Sequence, residues 1–450
     1  MRITRSGGMG PGRGHLLSGL GPGDDNRARG GHQTLLNVGG PVRRGPGLPE
    51  APPGGKPQRP PKITLAPAVL RWARETRGYS LEDAAGRLRI PEGRLANIES
   101  GTEGLTIPYI EKFAQLYKRN VATLLMKEPP KEPSPPPDFR TVGSQGVTQK
   151  LSPELLLAIR KARRTQMVAL ELASRLGESA AFRMTSINSE GNRDHVASQI
   201  SNQLTVGRGI TRTGDDRQSL RSWIGLVENA NVLVLQFPAK VEEARGFGLP
   251  SDKFPVIAIN RRDAVVAREF TLIHELVHLL LGSVGICGPY RPPSEGEQPQ
   301  QEVEQFCNDV AGRVLVPTVE LKGRLGSTRL RTQDAQELDR SAILLSRYFH
   351  VSKAVILRRL LSEGLISRDQ YTSLNPFNDV QAGQAVSHTG GGGADAVALR
   401  FNEYGRKYVR MILEADSEGL INPTDFSDYL ELRLSSRDRL AQLALREGVE

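Results

Sequence analysis

Between Thr271 and Gly282 the chain reads Thr-Leu-Ile-His-Glu-Leu-Val-His-Leu-Leu-Leu-Gly, with His274-Glu275-x-x-His278 at its centre. On a helix, imidazoles four residues apart lie one above the other and can share one divalent ion. Glu275, turned by about 100°, can then reach a water on that ion. Neutral imidazoles hold Zn²⁺ without cancelling its charge, and the ion lowers the pKa of its water to about 7, where a carboxylate can take the proton as attack begins. That is the chemistry of metal-assisted peptide hydrolysis, with His274 and His278 as ligands and Glu275 as the catalytic base. The competing reading is a pair of core histidines with no metal. A catalytic zinc takes three protein ligands and keeps one position open, so a further His or carboxylate must follow. The stretch from 302 to 317 reads as helix, with Glu304, Asn308, Ala311 and Leu315 on one face. Glu302, about 200° round from Glu304, falls on another face, which makes Glu304 the third ligand. Imidazole and carboxylate serve Mn²⁺ as well as Zn²⁺, so the donor set leaves the ion open between them.

Those side chains need a rigid frame. The leucine-rich flanks of the motif read as a buried helix closed by Gly282. Residues 153–176 form a long amphipathic helix whose basic residues, Arg160, Lys161, Arg163 and Arg164, read as a solvated face. Another helix is expected over 217–227, with buried strands over 231–237 and 254–260. Helices and strands feeding a helical metal motif describe an α+β zincin-like domain.

The sequence has 450 residues, room for two to four domains with ample core. Its two cysteines, Cys287 and Cys307, lack zinc-knuckle partners and fit a reducing compartment. Neither an apolar run long enough to span a bilayer nor a signal-peptide core occurs, so a cytoplasmic protein without membrane contact is expected. The net charge of +10 is uneven: residues 1–62 hold ten basic and three acidic side chains, a net +7, which leaves +3 for the rest. Charge alone is therefore a poor argument for a nucleic-acid-binding core.

Composition marks the divisions. Residues 1–62 contain 26 Gly or Pro and no apolar period, a segment expected to be disordered, either a basic arm or the product of a start codon placed too early. Residues 63–128 carry five short helical patterns: one with Leu70 and Ala73, one from Leu81 to Leu88 capped by Ser80, one opened by Pro91 with Leu95 and Ile98, one through Ile110 and Phe113, and one over 121–126. A Pro-rich linker follows over 129–150, a metallopeptidase domain over 151–374, a Gly-rich flexible joint over 375–396 and a helical region over 397–450. The fold class is thus multidomain: an all-α domain, then an α+β zincin-like metallopeptidase domain, then a helical C-terminal region.

The five helices resemble the helix-turn-helix domain of the Xre/Cro repressor class. The chain departs from that class in its reader, with Leu81, Arg89, Pro91 and Glu92 where Gln, Gly, Ser and a donor are usual. Glu92 would be repelled by phosphates; Arg94 and Asn97, on the outer face of the third helix, remain as DNA contacts. Docking onto a partner competes with DNA binding for this domain. Further on, Phe270-Thr271-Leu272-x-His274-Glu275-Leu276-x-His278, followed by Glu304-x-x-Cys307-Asn308-x-x-Ala311 and Val-Leu-Val-Pro317, resembles the ImmA/IrrE family of metallopeptidases. Arg245-Gly246-Phe247 and Pro255–Asn260 are similar to that family's strand region. The resemblance implies site-specific cleavage of a repressor or antitoxin that itself carries a helix-turn-helix domain. Tyr290 and His350 are candidates for oxyanion stabilisation. The alternative, from another class, is a DNA-binding transcriptional regulator or antitoxin-like protein whose peptidase domain is a sensor or scaffold. An intact His274, Glu275, His278 and Glu304 argues against it, because a scaffold needs no base.

Overall fold

The computed structural model describes residues 61–133, 151–205, 212, 214–283, 286–287, 299–327, 334–374 and 395–446. The expected disorder before residue 61, most of the Pro-rich linker, Tyr290 and the joint over 375–394 lie outside the described residues. No described helix is long and apolar enough to cross a membrane.

The first domain comprises α1 (Pro67–Thr76), α2 (Leu81–Leu88), α3 (Glu92–Glu99), α4 (Ile107–Tyr117) and α5 (Val121–Leu124). Ser80 starts α2 through a capping box: its hydroxyl accepts from the Asp83 amide, and the Asp83 carboxylate accepts from the Ser80 amide. Arg89 takes the left-handed conformation (φ 57°) in the turn to α3, where the related class has Gly, at a cost on the order of 1 kcal/mol. Pro91 is the N-cap of α3 rather than its first residue, since its ψ of 143° is still extended. Leu70, Leu95, Ile98 and Phe113 form the centre of this domain's core.

Four strands build the second domain: β1 (Leu233–Phe237), β2 (Gly246–Leu249), β3 (Val256–Asn260) and β4 (Ile286–Cys287), in the order β1-β3-β2-β4. β1 and β3 are parallel, and β2 runs antiparallel to β3 and to β4. All five residues of β3 are buried because both faces of the sheet are covered. Val234, Ile257 and Ile259 face a core shared with α7 (Arg193–Thr205), α8 (Asp216–Asn229), α9 (Val265–Leu280) and α10 (Pro299–Leu315). Leu233, Leu235, Val256 and Ala258 face a second core with α6 (Pro153–Leu176) and the C-terminal helices. Beyond α10 come α11 (Thr318–Ser327), α12 (Ala335–Phe349), α13 (Lys353–Ser362), capped by Ser352, and α14 (Arg368–Ser373). The C-terminal helices are α15 (Ala396–Tyr404), α16 (Arg406–Ser417), α17 (Pro423–Leu430) and α18 (Arg437–Arg446). Tyr408 and Phe426 lie wholly within the second core, so this region completes the sheet's burial.

The basic residues of α6 do not form the solvated face expected of them. Arg160 donates to the Tyr117 carbonyl of the first domain, Arg163 to the Pro133 carbonyl, and Lys161 bridges Glu403 and Glu431. Burial pushes Arg160 down to about 10, and the charge of Arg119 acts in the same direction. Arg164 alone of the four is exposed. The reason is tertiary: α6 is flanked by the first domain and by the C-terminal helices, so positions spread round it meet acceptors from both.

Candidate metal centre

Helix α9 follows β3 through a tight turn and carries the motif within its last three turns. From Thr271 to Leu280 every residue is buried, since the helix is wedged between the sheet and α8 and α10. The helix ends with Gly282 at φ 67°, and the Ser283 amide returns to the His278 carbonyl at 3.0 Å.

That ending orients a ligand. The Ser283 hydroxyl donates to the His278 carbonyl (3.2 Å) and lies 2.8 Å from His278 Nδ1, from which it must therefore accept. A proton on Nδ1 leaves the lone pair on Nε2, the atom facing the other donors. His278 Nε2 stands 3.0 Å from His274 Nε2 and 3.0 Å from Glu304 Oε1, and His274 Nε2 stands 3.4 Å from Glu304 Oε2. Tetrahedral zinc with bonds of about 2.0–2.1 Å has ligand atoms about 3.3 Å apart, so these spacings fit one small divalent ion. His274, His278 and Glu304 also form a three-residue cluster with ligand atoms within 4.8 Å of one another. The imidazoles are nearly closed off, with side chains 6% and 2% exposed, whereas that of Glu304 is 27% exposed, so the centre opens on the α10 side. Burial would raise the Glu304 carboxyl, but the adjoining imidazoles of His274 and His278, when protonated, donate to it and with their charge hold it well below the usual carboxylate range. Glu302, on the same helix, is exposed.

Glu275 occupies a different sector of α9, beneath β2. A Cβ on Gly246 would lie 3.0 Å from Glu275 Oε1 and 2.5 Å from Thr271 Cγ2, and one on Gly248 would lie 3.5 Å from Glu275 Oε2. Gly246 thus leaves the space in which the carboxylate sits, whereas a Cβ on Gly248 would make only an ordinary contact with it. Sequence reading connected Gly246 to a strand only through resemblance and assigned neither glycine a role. A Gly-x-Gly strand upstream of a buried carboxylate was the available signal. Ser283 was missed as well, although a hydroxyl immediately after the helix-ending glycine was visible. Phe270 stacks on His274 with ring centroids 6.2 Å apart, which fixes the imidazole's plane. Cys307 is a buried thiol, raised well above its ordinary pKa first by burial and then by the charges of Glu304 and Glu275, which keeps it protonated.

The other candidates lie apart from this cluster. His350 ends α12 in a left-handed conformation (φ 55°), and its Nδ1 pairs with Asp216 at 2.8 Å, a capping and packing role. On α3, Arg94 is held by Glu103 at 2.9 and 3.1 Å and lies over the Tyr109 ring, while Asn97 is exposed.

Comparison with known families agrees with both halves of this description. Residues 227–361 match an IrrE N-terminal-like domain and residues 68–124 match a helix-turn-helix domain. No curated protein matches the chain. The two matched regions, in this order along one chain, match the ImmA/IrrE architecture with an N-terminal helix-turn-helix domain.

Proposed function

We propose that the protein is a zinc-dependent endopeptidase that cuts a protein regulator, a repressor or antitoxin bearing its own helix-turn-helix domain. The observation that carries the proposal is the convergence of two imidazole Nε2 atoms and one carboxylate at separations of 3.0–3.4 Å. His274, His278 and Glu304 would hold the ion, which supplies Lewis acidity and an acidified water. Glu275, 1% exposed, is sheltered from bulk solvent, where a carboxylate is a stronger base than in water. It takes a proton from the attacking water and returns it to the leaving amine nitrogen. Ser283 holds the His278 ring in the ligating tautomer. The substrate class is what the resemblance to the ImmA/IrrE family implies, and the domain over 63–128 is the element that would bring the enzyme to DNA.

The test is elemental analysis of wild-type protein and of His278→Ala, with a cleavage assay on candidate repressors. About one zinc or manganese per wild-type chain, absent from the variant, is the expected result. Wild-type protein that takes up no metal after reconstitution would sink the proposal.

A further inference from the structure

A second concave site lies on the metallopeptidase domain, away from the metal centre. It is a half-open cleft of about 1080 Å³ between α8, β1, the root of α9 and the C-terminal helices, and none of His274, Glu275, His278 or Glu304 lines it. Its walls carry Arg212, Arg217, Arg221, Arg261, Arg268 and Arg406, against only two carboxylates, Glu228 and Asp395.

Among the described residues, internal pairing absorbs only part of this charge. Arg212 bonds Glu320 at 3.2 Å, Arg406 stands 3.9 Å from Glu228, and Arg261 is 3.6 Å from Glu403, a carboxylate it shares with Lys161 and Arg400. Among the described residues, Arg268 has only the neutral Gln236 as hydrogen-bond partner, at 3.1 Å. Burial lowers its pKa; Asp263 opposes this, and the nearby charge of Arg217 adds to it. The Nε atoms of Arg261 and Arg268 are buried and have no acceptor among the described residues. Two guanidiniums that repel each other beside a cleft, with hydrogen-bonding capacity to spare, are the reverse of a self-satisfied surface network. The shape is also built: a Cβ on Gly225 would lie 2.6 Å from Arg406 Nη2, so that glycine lets the guanidinium lie against α8. The rest of the wall is mixed, apolar at Leu226, Phe401 and Leu443 and polar at Ser222, Asn229 and Asn402.

The volume is at the upper end of small-molecule sites, about 300–1,000 Å³, and far exceeds what a lone inorganic ion needs. Guanidiniums together with apolar side chains fit an organic phosphate. We infer that this cleft binds a phosphate-bearing small molecule of nucleotide size, with the phosphates on Arg217 and Arg268 and the organic part against Leu226, Phe401 and Leu443. Arg268 lies on α9, six residues ahead of His274, so such a ligand would touch the metal-bearing helix and the C-terminal helices together.

The full chain, titrated calorimetrically with ATP in magnesium-free buffer, tests the inference, with inorganic tripolyphosphate and a short DNA duplex as comparison probes. ATP should bind at one site per chain, at least tenfold more weakly to Arg217→Glu, and within twofold of wild type to Arg71→Glu, an exposed change on α1. Arg268→Gln should weaken binding too, and the exposed Arg217 keeps the test independent of any folding defect in that variant. Tripolyphosphate binding as tightly as ATP, and equally dependent on Arg217, would support the phosphate contacts and assign the site to polyphosphate. No saturable binding of either, ATP binding unchanged in Arg217→Glu, or DNA as the only polyanion bound would overturn the inference.

Discussion

On α9, His274, Glu275 and His278 are at most 5% exposed and their neighbours are built around them. On α3, Arg94 and Asn97 stand at the surface, and the one cation there is already paired with Glu103. Burial separates the two helices more sharply than polarity does. A polar group shielded from water interacts strongly and must be positioned by its surroundings, as Ser283, Phe270 and Gly246 do on α9. An exposed ion pair such as Arg94–Glu103 contributes about 0–1 kcal/mol and yields readily to a competing phosphate. Helix α9 is thus rigidly specified, and α3 is left adjustable.

The widest effect should come from the base on α9. Glu275→Gln is expected to lower the cleavage rate about 10²–10⁴-fold while metal content stays near that of wild type. A variant as active as wild type would remove Glu275 from the mechanism and weaken the contrast with α3. Next is a buried acid on the same helix. Glu269 is fully buried, its oxygens make no well-formed hydrogen bond among the described residues, and burial raises its carboxyl to about 8, with Ser219 and Arg212 lowering it only in part. Between the ordinary carboxylate pKa and about 8, the folded chain holds a proton that the unfolded chain has released, so stability falls as pH rises through that window. Glu269→Gln should therefore stabilise the protein by roughly 4 kcal/mol at pH 8 and by little at pH 4. Denaturation midpoints at both pH values would show it; an equal shift at both would point to packing instead. Smaller is Gly246→Ala, whose Cβ would lie 2.5 Å from Thr271 Cγ2 and 3.0 Å from the Ala258 carbonyl. About 1–3 kcal/mol of destabilisation is expected, read as a lower thermal midpoint, and an unchanged midpoint would show that β2 and α9 can move apart. The smallest effect belongs to α3. Glu103→Gln frees Arg94 and should raise affinity for a DNA target by less than tenfold, whereas Arg94→Ala should reduce the salt dependence by about one counterion. Binding that responds to neither change would take the reading role from α3.

The parts legible in advance were those in which a local period carries the information. The bounds of α6, the Ser80 cap and the position of Glu304 relative to Glu302 follow from 3.6 residues per turn and side-chain chemistry close in sequence. What could not be read involves partners far along the chain. Arg160 finds the carbonyl of Tyr117 and Lys161 finds Glu403, so a face that looks solvated by composition is an interface. Helix α7 has weak amphipathic patterning, and β2, with two glycines in four residues, lacks strand composition. At the metal centre the ligands were visible as types and spacing. Ser283 and the glycine floor under Glu275 became assignable only once the helix ending and the sheet register were in place.

The sheet is enclosed by chain segments separated by more than two hundred residues, because α6 and the helices from Ala396 onward share one of its faces. During synthesis the helix-turn-helix domain has all the residues of its own core once Leu124 has left the ribosome. The second face of the sheet stays uncovered until residues near Ala444 emerge. Domains fold in the order in which they are made, so a nascent chain would have its helix-turn-helix domain well before the His274–His278–Glu304 cluster is held in a finished frame. At translation rates of about 5–20 residues per second, that interval lasts tens of seconds.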